Sequence, residues 1–83
     1  MNITVKLYAH FRECLPKGVS AEGIPMLIDE TATVNQVLQR LAIPIERAHL
    51  VLINGVFIAP INRDEAIFKA NDVLAVWPQV AGG

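Results

Sequence analysis

The residues able to act chemically are few, and only at one place do type and spacing combine: the C-terminal run Gln79-Val80-Ala81-Gly82-Gly83. Side chains shrink toward its end, and two glycines without Cβ atoms pass a channel too narrow for other residues. Extended, the five residues reach about 17 Å, enough to carry a terminal carboxylate into a buried site on another protein. A carboxylate is a poor acyl donor until one of its oxygens belongs to a good leaving group. The chemistry that suits such an end is adenylation of Gly83 by an ATP-dependent partner, after which a nucleophile displaces AMP. By average glycine usage a terminal Gly-Gly arises by chance in roughly 0.5% of chains. The dipeptide therefore needs a matching fold behind it.

The other candidates are weaker. His10 and His49 lack a metal-ligand or triad-like neighbour pattern and read as surface or strand histidines. Cys14, beside Leu15, reads as a packed thiol. As the single cysteine it excludes an internal disulfide, a four-cysteine zinc site and a cysteine-held iron–sulfur cluster within one chain. Asp29/Glu30 and Asp64/Glu65 are adjacent pairs of the kind found in solvated turns. No glycine-rich phosphate loop is present, because nothing follows Gly82-Gly83 to start a helix. No set of residues supplies a nucleophile, a base and a charge stabiliser together, so the expectation is no catalytic residue, no metal and no stand-alone enzyme. No cofactor is expected on the chain itself; ATP would be used by the activating enzyme.

Bulk properties narrow the class further. The formal net charge is −1, and Lys6, Arg12, Lys17, Arg40, Arg47, Arg63 and Lys69 are spread too thinly to track phosphates, which argues against nucleic acid. A hydrophobic content of 53% supplies enough apolar area to offset the entropy of folding, so a globular domain is expected. No apolar stretch approaches the roughly 20 residues of a membrane span, and Met1-Asn2-Ile3-Thr4 lacks the basic start of a signal peptide. The expectation is a soluble, cytoplasmic protein without membrane partners. It would comprise one domain over 1–78 and a flexible tail over 79–83.

The elements that must position the tail are legible in outline. Ile3 to Tyr8 alternates apolar and polar, which predicts an opening strand with Ile3, Val5 and Leu7 toward the core. Ala9 to Leu15 reads as an irregular or short helical connection ended by Pro16, with Gly18 and Gly23 marking a loop. Pro25 to Asp29 reads as a second strand, with Pro25 at its start or on an edge. Val34, Val37, Leu38 and Leu41 follow the spacing of one apolar helix face. Thr33 and Gln36 fit a capping box, and Pro44 stops the helix near Leu41 or Ala42.

His49 to Ile53 and Val56 to Ala59 flank Asn54-Gly55, the dipeptide that best tolerates a two-residue hairpin. Asn62 to Ala70 is a polar connection anchored by Ile67 and Phe68, and Asn71 suits a left-handed turn position. Val73 to Trp77 is a last strand, apolar on both faces. Pro78, which cannot donate to a ladder, would release the chain from the sheet. The order strand, strand, helix, hairpin, strand is that of an α+β, ubiquitin-like β-grasp. Such a fold has a mixed sheet of about four to five strands with one main helix on one face; by analogy its first and last strands lie parallel at the centre.

With these residues in place, the sequence resembles the ThiS/MoaD family of sulfur carriers nearly end to end. Asn71-Asp72-Val73-Leu74-Ala75-Val76-Trp77-Pro78-Gln79-Val80-Ala81-Gly82-Gly83 is similar to the family's turn, apolar strand, Pro-Pro step and Gly-Gly ending. Leu7 to Glu13 resembles the end of the family's first strand, and Ala32-Thr33-Val34 its helix start. Asn71 stands where the family has a turn glycine and Gln79 where it has a second proline; neither touches the carboxylate, though losing the proline loosens the tail.

The resemblance implies that Gly83 is adenylated by a ubiquitin-activating-type adenylyltransferase and converted to a thiocarboxylate with sulfur from a donor protein. Length and the ending Val80-Ala81-Gly82-Gly83 look most like the small subunit of molybdopterin synthase. On that pattern Gln79, Val80, Ala81 and Gly82 enter the active site of a larger catalytic synthase subunit. Arg12 and the outer face of the last strand, including Trp77, are candidates for partner docking. The alternatives are sulfur delivery for thiamine thiazole or another pathway, a non-covalent β-grasp binding module, and a protein modifier joined through Gly83.

Overall fold

The computed structural model describes residues 1–14 and 23–79. The period-two alternation at the start forms β1 (Asn2–Leu7), with Ile3, Val5 and Leu7 almost completely buried. A 3₁₀ segment, Ala9–Cys14, follows. The remaining elements are β2 (Ile24–Leu27), α1 (Val34–Arg40), β3 (Ala48–Ile53), β4 (Val56–Phe57) and β5 (Val73–Pro78), with short 3₁₀ turns at Ile45–Arg47 and Pro60–Asn62. The strands form one sheet in the order β2-β1-β5-β3-β4. β1 and β5 run parallel, Leu7 beside Val76, and every other pairing is antiparallel. The expected α+β arrangement is thus present, with both chain-terminal strands at its centre.

The helix forms where local chemistry and apolar spacing agree. At its start the Gln36 N–H donates to Thr33 Oγ1 (3.1 Å) and the Thr33 N–H donates to Gln36 Oε1 (3.0 Å), the expected capping box. Val34, Val37 and Leu38 are buried against the sheet, and Leu41 is at the margin of burial. Each such side chain contributes on the order of 1.5–3 kcal/mol by leaving water. The helix ends as Pro44 requires. The Ile43 N–H reaches back to the Leu38 carbonyl (2.9 Å) and the Ala42 N–H to the Gln39 carbonyl (3.0 Å), a Schellman closure with Ala42 in the left-handed region at φ 58°.

Asn54-Gly55 turns β3 into β4 with φ of 51° and 82°, the positive pair of a type I′ hairpin. The Asn54 side chain also organises the start of β5. Its Nδ2 donates to Asp72 Oδ1 (2.8 Å), its Oδ1 accepts from the Val73 N–H (2.9 Å), and Asp72 Oδ2 accepts from the Lys69 N–H (2.8 Å). Asn71, at φ 69°, takes the left-handed position expected of it.

Every strand differs from its sequence-based bounds, β1, β3 and β5 by a single residue at one or both ends and β2 and β4 by more. β2 covers Ile24–Leu27 rather than Pro25 to Asp29, because Ile24 pairs with Val5 and the chain turns after Ile28, with the Ala32 N–H on the Asp29 carbonyl (3.1 Å). β4 stops at Phe57 rather than Ala59, because the Ile58 carbonyl accepts from the Arg63 side chain and Pro60 opens a 3₁₀ turn. Pro78 is the last paired residue of β5, opposite Ala48, so the chain leaves the sheet after it. Phe68 is buried and Ile67 packs against the core, as expected of both. The readings of the Cys14 side chain, of Gly18 and of Val80 to Gly83 lie outside the described residues.

Candidate functional site: the open sheet face and the tail root

One helix covers one face of the sheet. The other face is assembled from the residues that alternate with the core positions: Thr4, Lys6 and Tyr8 from the β1 side, Val73, Ala75 and Trp77 from β5, Leu50 and Leu52 from β3, and Phe57 from β4. Registers place Phe57, Leu52, Ala75 and Lys6 in one row, and Leu50 opposite Trp77 in the next. Tyr8 and Trp77 lie outside the buried core cluster. Phe57 is 52% exposed, whereas Ala75 is shielded by its larger neighbours. The result is a partly exposed face centred on β5, apolar over β5, β3 and β4 and polar toward β1 at Thr4 and Lys6.

Trp77 is half-buried, and the cause is local. The parallel register that sets Leu7 beside Val76 brings Tyr8 alongside Trp77, and the two rings stack with centroids 4.1 Å apart and planes 4° from parallel. The Tyr8 N–H bonds the Val76 carbonyl (3.1 Å), and the next residue, Ala9, at φ 52°, turns the chain out of the strand. Trp77 was expected on the outer face of the last strand and is found there. Tyr8 was not singled out from the sequence. Alternation past Leu7 assigns it to the outer face, but which residue of β5 it meets depends on the parallel register, which only the fold supplies.

Beyond Trp77 the chain exits over a cleft of about 260 Å³ lined by His10, Glu46, Arg47, Pro78 and Gln79. Two 3₁₀ turns form its walls, and Gln79 is exposed at its rim. Arg12 is exposed on the 3₁₀ segment after β1, at the same end of the sheet as Trp77. Among the described residues no hydrogen bond or ring contact joins Arg12 to the Tyr8–Trp77 pair. His10 and His49 are both exposed, and His10 packs edge-on to Phe11 with centroids 5.1 Å apart. No group of three or more His, Cys, Asp or Glu able to hold a metal ion occurs among the described residues. No helix among them is long and apolar enough to cross a membrane.

Among the described residues one titratable group has a resolved shift: burial lowers the pKa of the Arg63 guanidinium, whose Cζ lies 5.9 Å from the centroid of the Phe57 ring at the β4 edge of this face. Its donors are used structurally, on the carbonyls of Ala48 and Ile58.

A β-grasp sheet whose open face leads directly into a C-terminal extension defines a small ubiquitin-like protein. The chain belongs to the ThiS family, whose model matches residues 5–83. The solution structure of the Haloferax volcanii HVO 2177 protein is similar, with a TM-score of 0.75 and 28% identity over 100% of this chain and 87% of that one. The crystal structure of SAMP1 from Haloferax volcanii has a TM-score of 0.65 and 27% identity, with 100% of each chain covered. A crystal structure of H. volcanii small archaeal modifier protein 1 has a TM-score of 0.65 and 28% identity, over 95% of this chain and 98% of that one. No curated protein matches the chain at a significant level.

Proposed function

We propose that this chain is a non-catalytic sulfur carrier. The Gly83 carboxylate attacks the α-phosphorus of ATP on a ubiquitin-activating-type adenylyltransferase, releasing pyrophosphate and leaving an acyl-adenylate. A hydrosulfide ion delivered by a donor protein then adds to the carbonyl carbon, and AMP and a proton depart, leaving a thiocarboxylate. Gln79, Val80, Ala81 and Gly82 carry that group into the active site of a larger synthase subunit, whose residues form the dithiolene of molybdopterin. The observation that carries the reading is the continuity of β5 with the tail in a chain whose family match extends to Gly83. An enzyme holding the end of the tail must stand within about 17 Å of Pro78. The nearest large apolar surface it meets is that of Trp77 and its neighbours, with Arg12 at the same end of the sheet.

The test is intact-mass analysis after incubation with ATP, the cognate activating enzyme and a sulfur donor. Replacement of one terminal oxygen by sulfur is expected, and its absence with a verified enzyme overturns the proposal. Deleting Gly83 should abolish transfer while leaving the fold in place. The molybdopterin assignment is tested separately, by adding the loaded carrier to the larger synthase subunit and its precursor and assaying for the dithiolene.

The likeness to small archaeal modifier protein 1 favours a second reading, in which the activated Gly83 is joined to lysine amines of other proteins. Adducts in the native host that survive reducing agent and disappear on deletion of Gly83 would support it. Thiocarboxylate without any adduct would leave the carrier reading alone.

A further inference from the structure

We infer that Tyr8 is a positioning residue for partner docking, holding the Trp77 indole in the orientation that the adenylating enzyme receives; this rests on the carrier reading above. Trp77 stands on the open face of a central strand, two positions from the small Ala75. Without a ring beside it, such a side chain samples several rotamers and loses that freedom when a partner closes over it. Tyr8 removes the freedom in advance. Its ring lies parallel to the indole within 4° at 4.1 Å, covering one face and leaving the indole partly exposed.

The backbone makes this stack rigid from both sides. Trp77 is paired with Leu50 in the β3 ladder, and Tyr8 is fixed through its N–H to the Val76 carbonyl (3.1 Å). Ala9 then leaves the strand with positive φ, so Tyr8 is the last residue of this segment running alongside β5. Both rings lie outside the core cluster. A pair serving packing alone would be expected on the helix-covered face, where its area is removed from water completely. On the solvent side the stack fixes a presentation. The occupant is the enzyme that adenylates Gly83, because five extended residues confine it to the end of the sheet where this pair stands.

The test is ATP–pyrophosphate exchange by the cognate activating enzyme, with the full chain as the varied substrate. Tyr8→Ile keeps a good strand former and removes the ring; it should raise the KM for the chain about fivefold with kcat within about twofold of wild type. Tyr8→Phe should match wild type, because the ring and not the hydroxyl makes the stack. An unchanged KM for Tyr8→Ile, a loss confined to kcat, or failure of Tyr8→Phe to match wild type overturns the assignment. Should Tyr8→Ile not fold, Tyr8→Thr takes its place. An independent readout is time-resolved anisotropy of Trp77, the single tryptophan: a fast indole motion absent from wild type should appear in the ring-less variant, and its presence in wild type overturns the assignment. No exchange with the wild-type chain at all would instead sink the carrier reading.

Discussion

Arg63 and Ala48 are joined by a 2.7 Å hydrogen bond from the guanidinium Nη1 to a backbone carbonyl at the start of β3, where a register shift interrupts pairing with β5. A carbonyl at such an irregularity needs a donor from outside the ladder. Arg63, only 3% exposed, provides it and also ties down the Ile58 carbonyl at the end of β4 through Nε (3.0 Å). One planar fork thereby closes both ends of the hairpin that flanks β5.

Replacing this residue should therefore be costly. Arg63→Met keeps the length of the side chain but strands two carbonyls, and should lower stability by about 2–4 kcal/mol. Arg63→Lys should recover only part of this, because one ammonium does not reproduce the fork. Urea unfolding monitored by Trp77 fluorescence measures both, and equal stability of wild type and Arg63→Met would refute the role.

Ala42 offers a change in the opposite direction. It holds φ 58° at the residue after the helix cap, where a Cβ atom costs roughly 1–2 kcal/mol, and it is exposed. Ala42→Gly relieves that strain and gives back part of it through a freer unfolded chain. A net gain of about 0.5–1 kcal/mol is expected, raising Tm by about 2–8 °C for a domain of this size. Scanning calorimetry decides it, and a fall in Tm would contradict the argument.

Trp77→Ala removes the largest ring from the open face. It should raise the KM for adenylation by about tenfold or more, as loss of an aromatic anchor does. Its effect on stability should stay near 1–2 kcal/mol, since the ring is half-buried and outside the core. Parallel thermal and kinetic measurements separate the two effects. A variant that unfolds more easily but is adenylated normally would place Trp77 in the architecture rather than in docking.

The free edge of β2 is guarded by two residues. Met1 and Ile28 exchange backbone hydrogen bonds (2.7 and 2.8 Å), which fixes the alternation so that the backbone groups of Pro25 and Leu27 point away from β1. Pro25 has no N–H to offer, and Arg40 Nη1 occupies the Leu27 carbonyl (2.8 Å). Restoring the edge with Pro25→Thr and Arg40→Ala together should produce concentration-dependent association, visible by light scattering after size exclusion. A strictly monomeric double variant would show that the edge needs no guard.

The sequence disclosed those parts of the fold set by short-range chemistry. The Thr33–Gln36 box, the Asn54-Gly55 turn, the left-handed Asn71 and the Val34 to Leu41 stripe each depend on neighbours within about seven positions, and each formed as expected. What escaped depends on contacts between distant segments. Ile58 does not announce that Arg63 will take its carbonyl, so the sequence predicts a β4 longer than the structure has. Tyr8 does not announce that its neighbour across the sheet is Trp77. Ala42 carries no glycine-like mark of its positive φ; Pro44 stopped the helix, but the form of the ending came from the closure onto Leu38 and Gln39.

The pairing of β1 with β5 sets Thr4 beside Val73, so the middle of the sheet joins segments from nearly opposite ends of the chain. During synthesis, the first strand has no central neighbour until Val73 and the residues after it have been made. The complete sheet therefore waits for β5, and products truncated before it lack the strand that carries Trp77. A partner that reads this face before handling the tail receives only chains whose sheet is complete, a form of quality control inherent in the topology.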